Sequence, residues 1–274
     1  MFRSKRVPGL LPVAVALVLA VALGACSKKK PDYVERPVEE LYNQALDAML
    51  AKNYGTATEK FDEVERQHPY SLWANKAQLM AAYSYYLNNY YDEAVVALDR
   101  FIQLHPTSPD VAYAYYLKGL SFYEQISDIQ RDQAVTNQAL SALRDVVRRF
   151  PQTKFARDAR LKIDLTQDHL AGKEMTVGRY YLRRGELLSA INRFRIVVDQ
   201  FQTTSHVPEA LHRLAEAYTI LGMRKEAQKA AAVLGHNYPG SEWYTDSYAL
   251  ITGKDTRQQK AKPGFLKRAW NWVF

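Results

Sequence analysis

A single register recurs five times along this chain, and it leaves little choice of fold. Counting back from the residue before a proline, Tyr54, Ala57, Phe61, Val64 and His68 precede Pro69. The same alternating steps of three and four give Tyr91, Ala94, Leu98, Phe101 and His105 before Pro106, and Thr136, Ala139, Leu143, Val146 and Phe150 before Pro151. They also give Arg224, Ala227, Ala231, Leu234 and Tyr238 before Pro239. Another copy, Leu187, Ala190, Phe194, Val197 and Phe201, keeps the spacing but has Gln202 where the others have proline. Such steps place the side chains on one stripe of an α-helix. A proline then drives the residue before it out of the αR region and ends the helix.

A second helix precedes each of these. Twelve residues before the alanine lies another small residue, Ala45, Ala82, Gly178 or Ala215, followed three places on by Ala48, Tyr85, Tyr181 or Tyr218. In the third copy Gly119 and Phe122 match, but Gly119 lies 20 residues before Ala139, so an insert around 125–134 lengthens the turn. Paired helices with small residues at fixed points and a closing proline resemble the tetratricopeptide repeat. Five copies over 37–239 predict an all-α solenoid of five helix pairs, each burying its stripe on the next and leaving a concave face. The stretch 154–184 has no proline and only Gly172 and Gly178 as breakers. It predicts one long helix, or two joined near Ala171 and Gly172.

The start of the chain reads differently. Arg3, Lys5 and Arg6 precede an apolar run over 10–23, which is the pattern of a secretory signal. That run is too short to settle as a helix across ~30 Å of hydrocarbon. Leu23-Gly24-Ala25-Cys26 resembles the bacterial lipobox, and Cys26 is the single cysteine of the 274 residues. The resemblance implies cleavage before Cys26, with acyl and diacylglycerol chains on the cysteine. Ser27 resembles the outer-membrane class of such proteins. The expected layout is a signal peptide over 1–25 and a lipidated tether over 26–36. The repeats follow over 37–239, then a short helix and a basic, aromatic tail over 240–274. With Cys26 alone no internal disulfide can form. The mature chain carries 34 basic against 29 acidic residues, which demands no nucleic acid.

No constellation of catalytic groups is evident. The six histidines show no HExxH or paired-ligand spacing, and no GxGxxG or P-loop glycines occur. The chain therefore reads as a non-enzyme without cofactor or metal, its function lying in surfaces. His68, His105 and His236 sit at or beside repeat ends, where they pack or cap. Tyr83, Tyr85, Tyr86, Tyr90, Tyr91, Tyr113, Tyr115, Tyr116 and Phe122 exceed the packing positions of two repeats. Those left over from the core line the groove and can grip an extended peptide. Arg144, Arg148, Arg149, Lys154, Arg157 and Arg160 form a basic face, either solvated or docking, continued by Arg179, Arg183, Arg184, Arg193 and Arg195. The last residues, KAKPGFLKRAWNWVF, mix cations with aromatics and suit a partner groove, a membrane interface or a free end.

The phrases ALDRFIQLHPTSPD (97–110), YYLKGL (115–120) and VGRYYLRRGELLSAINRFR (177–195) resemble the BamD (ComL) lipoprotein family. That family belongs to the outer-membrane β-barrel assembly machine, and the likeness covers essentially the whole chain. It implies a non-catalytic scaffold and adaptor on the periplasmic face of the outer membrane. The C-terminal repeats would hold a POTRA domain of the barrel-forming BamA-type subunit, beside other lipoproteins of the machine. The N-terminal repeats would help recognise unfolded outer-membrane proteins. For the partner surface this points to Arg193, to which Tyr180, Tyr181, Arg183 and Arg184 are added because Arg and Tyr dominate interface hot spots. For the substrate surface it points to His68, which stands where the family often has Tyr, to which Tyr85, Tyr86, Tyr115 and Tyr116 are added from the aromatic surplus. The alternative is a pilotin-like lipoprotein that assembles a secretin.

Overall fold

A computed structural model describes residues 35–253. Residues 1–37 form a unit of their own, of which 35–37 are described and have no regular structure. The expected signal peptide, Cys26 and most of the tether, and the tail after Gly253, lie outside the described residues.

From Val38 the chain is helical. The five pairs are α1 (Val38–Leu50) with α2 (Tyr54–Gln67), α3 (Leu72–Leu87) with α4 (Tyr91–Leu104), α5 (Val111–Tyr123) with α6 (Ala134–Arg149), α7 (Lys154–Arg183) with α8 (Leu187–Gln200), and α9 (Val207–Ile220) with α10 (Arg224–Asn237). A further helix, α11 (Glu242–Thr252), packs on both α9 and α10. Among the described residues there is no strand, and no helix is long and apolar enough to cross a membrane.

The repeating register is the core. Ala57, Phe61 and Val64, Ala94, Leu98 and Phe101, Ala139, Leu143 and Val146, and Ala190, Phe194 and Val197 are all buried. Each buried Phe contributes ~1.5–3 kcal/mol of transfer free energy. In the last copy the buried residue is Ala230, while Ala231 is only half-buried. Two adjacent alanines are identical in size and polarity, so spacing alone does not choose between them. The small residues opposite are close-approach points: a Cβ on Gly178 would lie 2.5 Å from the Phe194 ring, and one on Gly119 would lie 2.9 Å from Leu143.

Two turn devices repeat with the helices. Within pairs, Lys52, Asn89, Gly185 and Gly222 take the left-handed conformation, at φ 59°, 61°, 75° and 73°. In each case the next N–H returns to a carbonyl of the first helix: Asn53 to Ala48, Tyr90 to Tyr85, Glu186 to Tyr181 and Met223 to Tyr218. Between pairs, His68, His105, Phe150, Phe201 and Tyr238 end their helices with φ between −134° and −124°. Their carbonyls accept from the N–H three residues on, at Ser71, Ser108, Thr153, Thr204 and Ser241. Ser71, Thr153 and Ser241 then cap the next helix through their hydroxyl oxygens. Phe201 does this without a proline after it, so the turn is specified by the whole phrase.

Residues 154–183 form one continuous helix of 30 residues. Its first half packs Phe155, Ala159 and Ile163 against Leu143 and Val146, and its second half packs Ala171 and Met175 into the core of the last two pairs. Gly172 does not break it. Instead its bare backbone admits Ile129 of the insert and His206 of the α8–α9 loop, which a Cβ would meet at 3.1 and 3.2 Å. Lys173 Nζ donates to Gln130 O at 2.9 Å, and Asp168 accepts from the Ser205 N–H and hydroxyl at 3.1 and 2.9 Å. The insert and the α8–α9 loop are thus both fixed to the middle of α7.

Candidate partner interface

The first helices α1, α3, α5 and α7 touch in succession. Because their residues recur at helical spacing, side chains from neighbouring first helices meet on one face. There Tyr83 and Tyr86 stack at 6.4 Å, Tyr86 meets Tyr91 at 5.6 Å, and Tyr83 meets Tyr113 at 6.4 Å. Tyr113 and Tyr116 flank Phe155 at 5.4 and 5.3 Å. This half-buried belt of six rings runs from the second pair to the start of α7. Two carboxylates close it: Tyr86 donates to Glu124 Oε1 at 3.3 Å and Tyr116 to Asp158 Oδ2 at 2.5 Å.

Burial, then the Glu124 carboxylate, pushes the Tyr86 phenol up to about 12, and burial pushes Tyr113 up to about 12. Tyr116 is raised further, by burial first and then by Asp158. These phenols stay neutral donors near pH 7. The belt offers ring faces with polar tips, suited to an extended peptide with apolar side chains.

The residues expected to bind substrate therefore divide. Tyr86 and Tyr116 share the belt. Tyr85, one position round the helix, faces a groove between α2 and α4 instead. Tyr115 packs on Phe150 at 5.4 Å with the Arg149 guanidinium 5.2 Å above it. His68 is the half-buried C-cap of α2. Adjacent positions on a helix point ~100° apart, so Tyr85–Tyr86 and Tyr115–Tyr116 cannot serve one surface. Tyr83 and Tyr113 were legible as aromatics in excess of packing. Phe155, Glu124 and Asp158 were not, because they reach the belt only through tertiary packing.

The expected partner residues also separate. Arg184 donates to the Tyr180 hydroxyl at 2.7 Å and covers its ring at 5.5 Å, while pairing with Glu186 at 3.1 Å. Tyr181 turns into the core and meets Tyr180 edge-on at 5.6 Å. Arg183 is exposed. Arg193 donates to Glu174 Oε2 at 3.1 Å, tying α8 to α7 well away from the α7–α8 turn. No spacing in the chain signals a second network on these helices. Arg179 donates to both oxygens of Glu209, and Arg213 reaches Glu209 and Glu216 and lies 5.3 Å over Trp243. His212 Nδ1 shares a hydrogen bond of 2.8 Å with Ser247. These contacts lock α7, α9 and α11 together. Among the described residues no group of His, Cys, Asp and Glu is arranged to hold a metal ion.

Residues 34–234 match the family model YfiO, described as an outer membrane lipoprotein. The chain is 52% identical over 248 residues to the outer membrane protein assembly factor BamD of Caulobacter vibrioides, covering 89% of this chain and 81% of that protein. It is 47% identical to the BamD of Rickettsia prowazekii, covering 87% and 96%. It is 34% identical to that of Neisseria meningitidis serogroup A, covering 86% and 94%. Among solved structures it is similar to the TPR domain of P58(IPK), at a TM-score of 0.41 and 14% identity, covering 94% of this chain and 72% of that one. With more than half its length matched, the chain belongs to the YfiO family of outer membrane lipoproteins.

Proposed function

We propose that this protein is a non-catalytic adaptor in outer-membrane protein assembly, held at the periplasmic face by lipid on Cys26. The aromatic belt carries this reading. Six half-buried rings on neighbouring helices, with hydroxyls held by Glu124 and Asp158, suit an extended segment of an unfolded barrel protein. Of the tyrosines first expected there, Tyr86 and Tyr116 serve in the belt. The C-terminal pairs, tied by the Arg179–Glu209–Arg213 network, offer a POTRA domain of a barrel-forming subunit two separate contacts, Arg193 beside Glu174 and Arg183, Arg184 and Tyr180 at the α7–α8 turn. The names of the similar proteins from Caulobacter and Rickettsia support the assembly role.

The test is co-purification from detergent-solubilised membranes. A barrel protein carrying POTRA domains is expected with the wild-type chain, and Arg193→Ala is expected to weaken its binding about thirtyfold or more, in the range of interface hot spots. Recovery of a secretin instead would replace this reading with the pilotin one. Tyr86→Ala with Tyr116→Ala is expected to leave the POTRA protein bound while weakening capture of an unfolded barrel polypeptide.

A further inference from the structure

We propose that the groove between α2 and α4 is a docking site for the chain's own basic, aromatic C-terminal segment, residues 254–274. The groove exists because the first helices of these pairs touch while their second helices splay apart. It measures about 830 Å³. Tyr85, Pro69, Val96 and Ala97 line it with apolar surface, and Asp62, Glu65, Asp92 and Glu93, set against Arg66 and Arg100, leave it net negative. Glu65 is paired with Arg100 across the groove. Asp62, Asp92 and Glu93 form no ion pair among the described residues. Val96 is 70% exposed, an apolar side chain left in water on the groove's lip.

Charge and chain length select the occupant. Residues 38–106 hold ten acidic against five basic residues, whereas 107–253 hold sixteen against nineteen. The acidic excess is thus confined to the two pairs that build the groove. The segment 254–274 has six basic residues, one acidic residue, and Phe265, Trp270, Trp272 and Phe274 interleaved with Lys267 and Arg268. Its rings match Tyr85, Pro69 and Val96, and its cations match Asp62 and Glu93. Burial, Glu65 and Glu93 already disfavour further negative charge around Asp62 and Tyr85, and an incoming cation relieves that repulsion. Reach is sufficient. Six helices in two layers separate α4 from α11, roughly 30–40 Å at 8–10 Å per packed helix. Twenty-one extended residues span up to about 70 Å.

The experiment uses the full-length lipoprotein in detergent, with p-benzoylphenylalanine in place of Val96. Isotope-labelled and unlabelled chains are mixed before irradiation, and crosslinked peptides are mapped by mass spectrometry. The expected result is a crosslink from position 96 to residues 254–274 of the same chain. It should fall at least fivefold with Asp62→Lys and Glu93→Lys, in a protein whose helical circular dichroism is unchanged. It should also weaken at about 0.5 M salt, where charges are screened within a few ångströms. The same probe at Leu161, exposed on α7, is expected to give no such crosslink. Crosslinks joining labelled to unlabelled chains, crosslinks to a different protein, or no crosslink to 254–274 would each overturn the proposal.

Discussion

Gly178 faces the ring of Phe194, which is fully buried, so a methyl group there has nowhere to go. Two effects oppose each other in Gly178→Ala. Helix propensity favours alanine by ~1 kcal/mol. Forcing a carbon to 2.5 Å from an immobile ring costs ~1–3 kcal/mol or separates α7 from α8. The overlap wins because the ring cannot swing away, so the urea midpoint is expected to fall. Gly55→Ala, in the first turn of α2 with nothing within 4 Å, is expected to raise it, for a gain of ~0.4–1 kcal/mol in stability. A stabilised Gly178→Ala would mean that α7 and α8 do not cross at this point. His212 is a second single-residue test. Burial, then Arg213, pushes its imidazole below the ordinary value, against the opposing pull of Glu216, Asp246 and Glu209. The folded chain therefore holds the ring neutral, while the unfolded chain protonates near 6.5. Stability from the neutral ring is present above pH ~6.5 and drains away as pH falls. Denaturation at pH 7.5 and 5.5 should show a smaller acid penalty in His212→Asn than in wild type.

At the scale of the element, the phrase between pairs matters more than any one residue in it. Phe201 adopts φ −124° and ψ 45° before Gln202, nearly the conformation of His105, φ −128° and ψ 54°, before Pro106. The Gln202 N–H donates no backbone hydrogen bond. Proline at this position would lose no backbone hydrogen bond, only the exposed 3.5 Å contact that Gln202 Nε2 donates to Asp199 O, and would restrict the unfolded chain. Gln202→Pro is expected to stabilise the fourth turn by ~0.4–1 kcal/mol, read as a raised thermal midpoint. A lowered midpoint would show that Gln202 holds a φ that proline cannot adopt. The serine or threonine three places after the cap, present in all five copies, was in the sequence but hidden in polar linkers that periodicity ignores. The same limit applies to α7. Glycine weakens helices on average, and only the packing of Ile129 and His206 against Gly172 explains why this one lies unbroken in mid-helix.

For the whole molecule, attachment is tested apart from partner choice. If lipid on Cys26 is the anchor, Cys26→Ser is expected to move the protein out of the outer-membrane fraction and to abolish labelled-palmitate incorporation, without altering helix content. Retained label would exclude Cys26 as the modified residue. The all-α repeat architecture was legible from the spacing of Ala57, Phe61, Val64 and their counterparts, because helical periodicity is a local property of the chain. The small residues opposite them, Ala45, Ala82, Gly178 and Ala215, were legible for the same reason. The aromatic surplus on the second and third pairs was legible as a quantity but not as a surface. Whether Tyr85 or Tyr86 joins the belt depends on the rotation of α3 about its axis, and whether Tyr116 does depends on Asp158, 42 residues away. Arg193 was readable as a residue at the border of its stripe, but its engagement by Glu174 was not. Local spacing determined which residues are helical and, Ala230 against Ala231 apart, which of the repeating stripe are buried. The tertiary structure alone decided which exposed and half-buried side chains meet, because those meetings are set by how successive pairs pack and not by any distance along the chain.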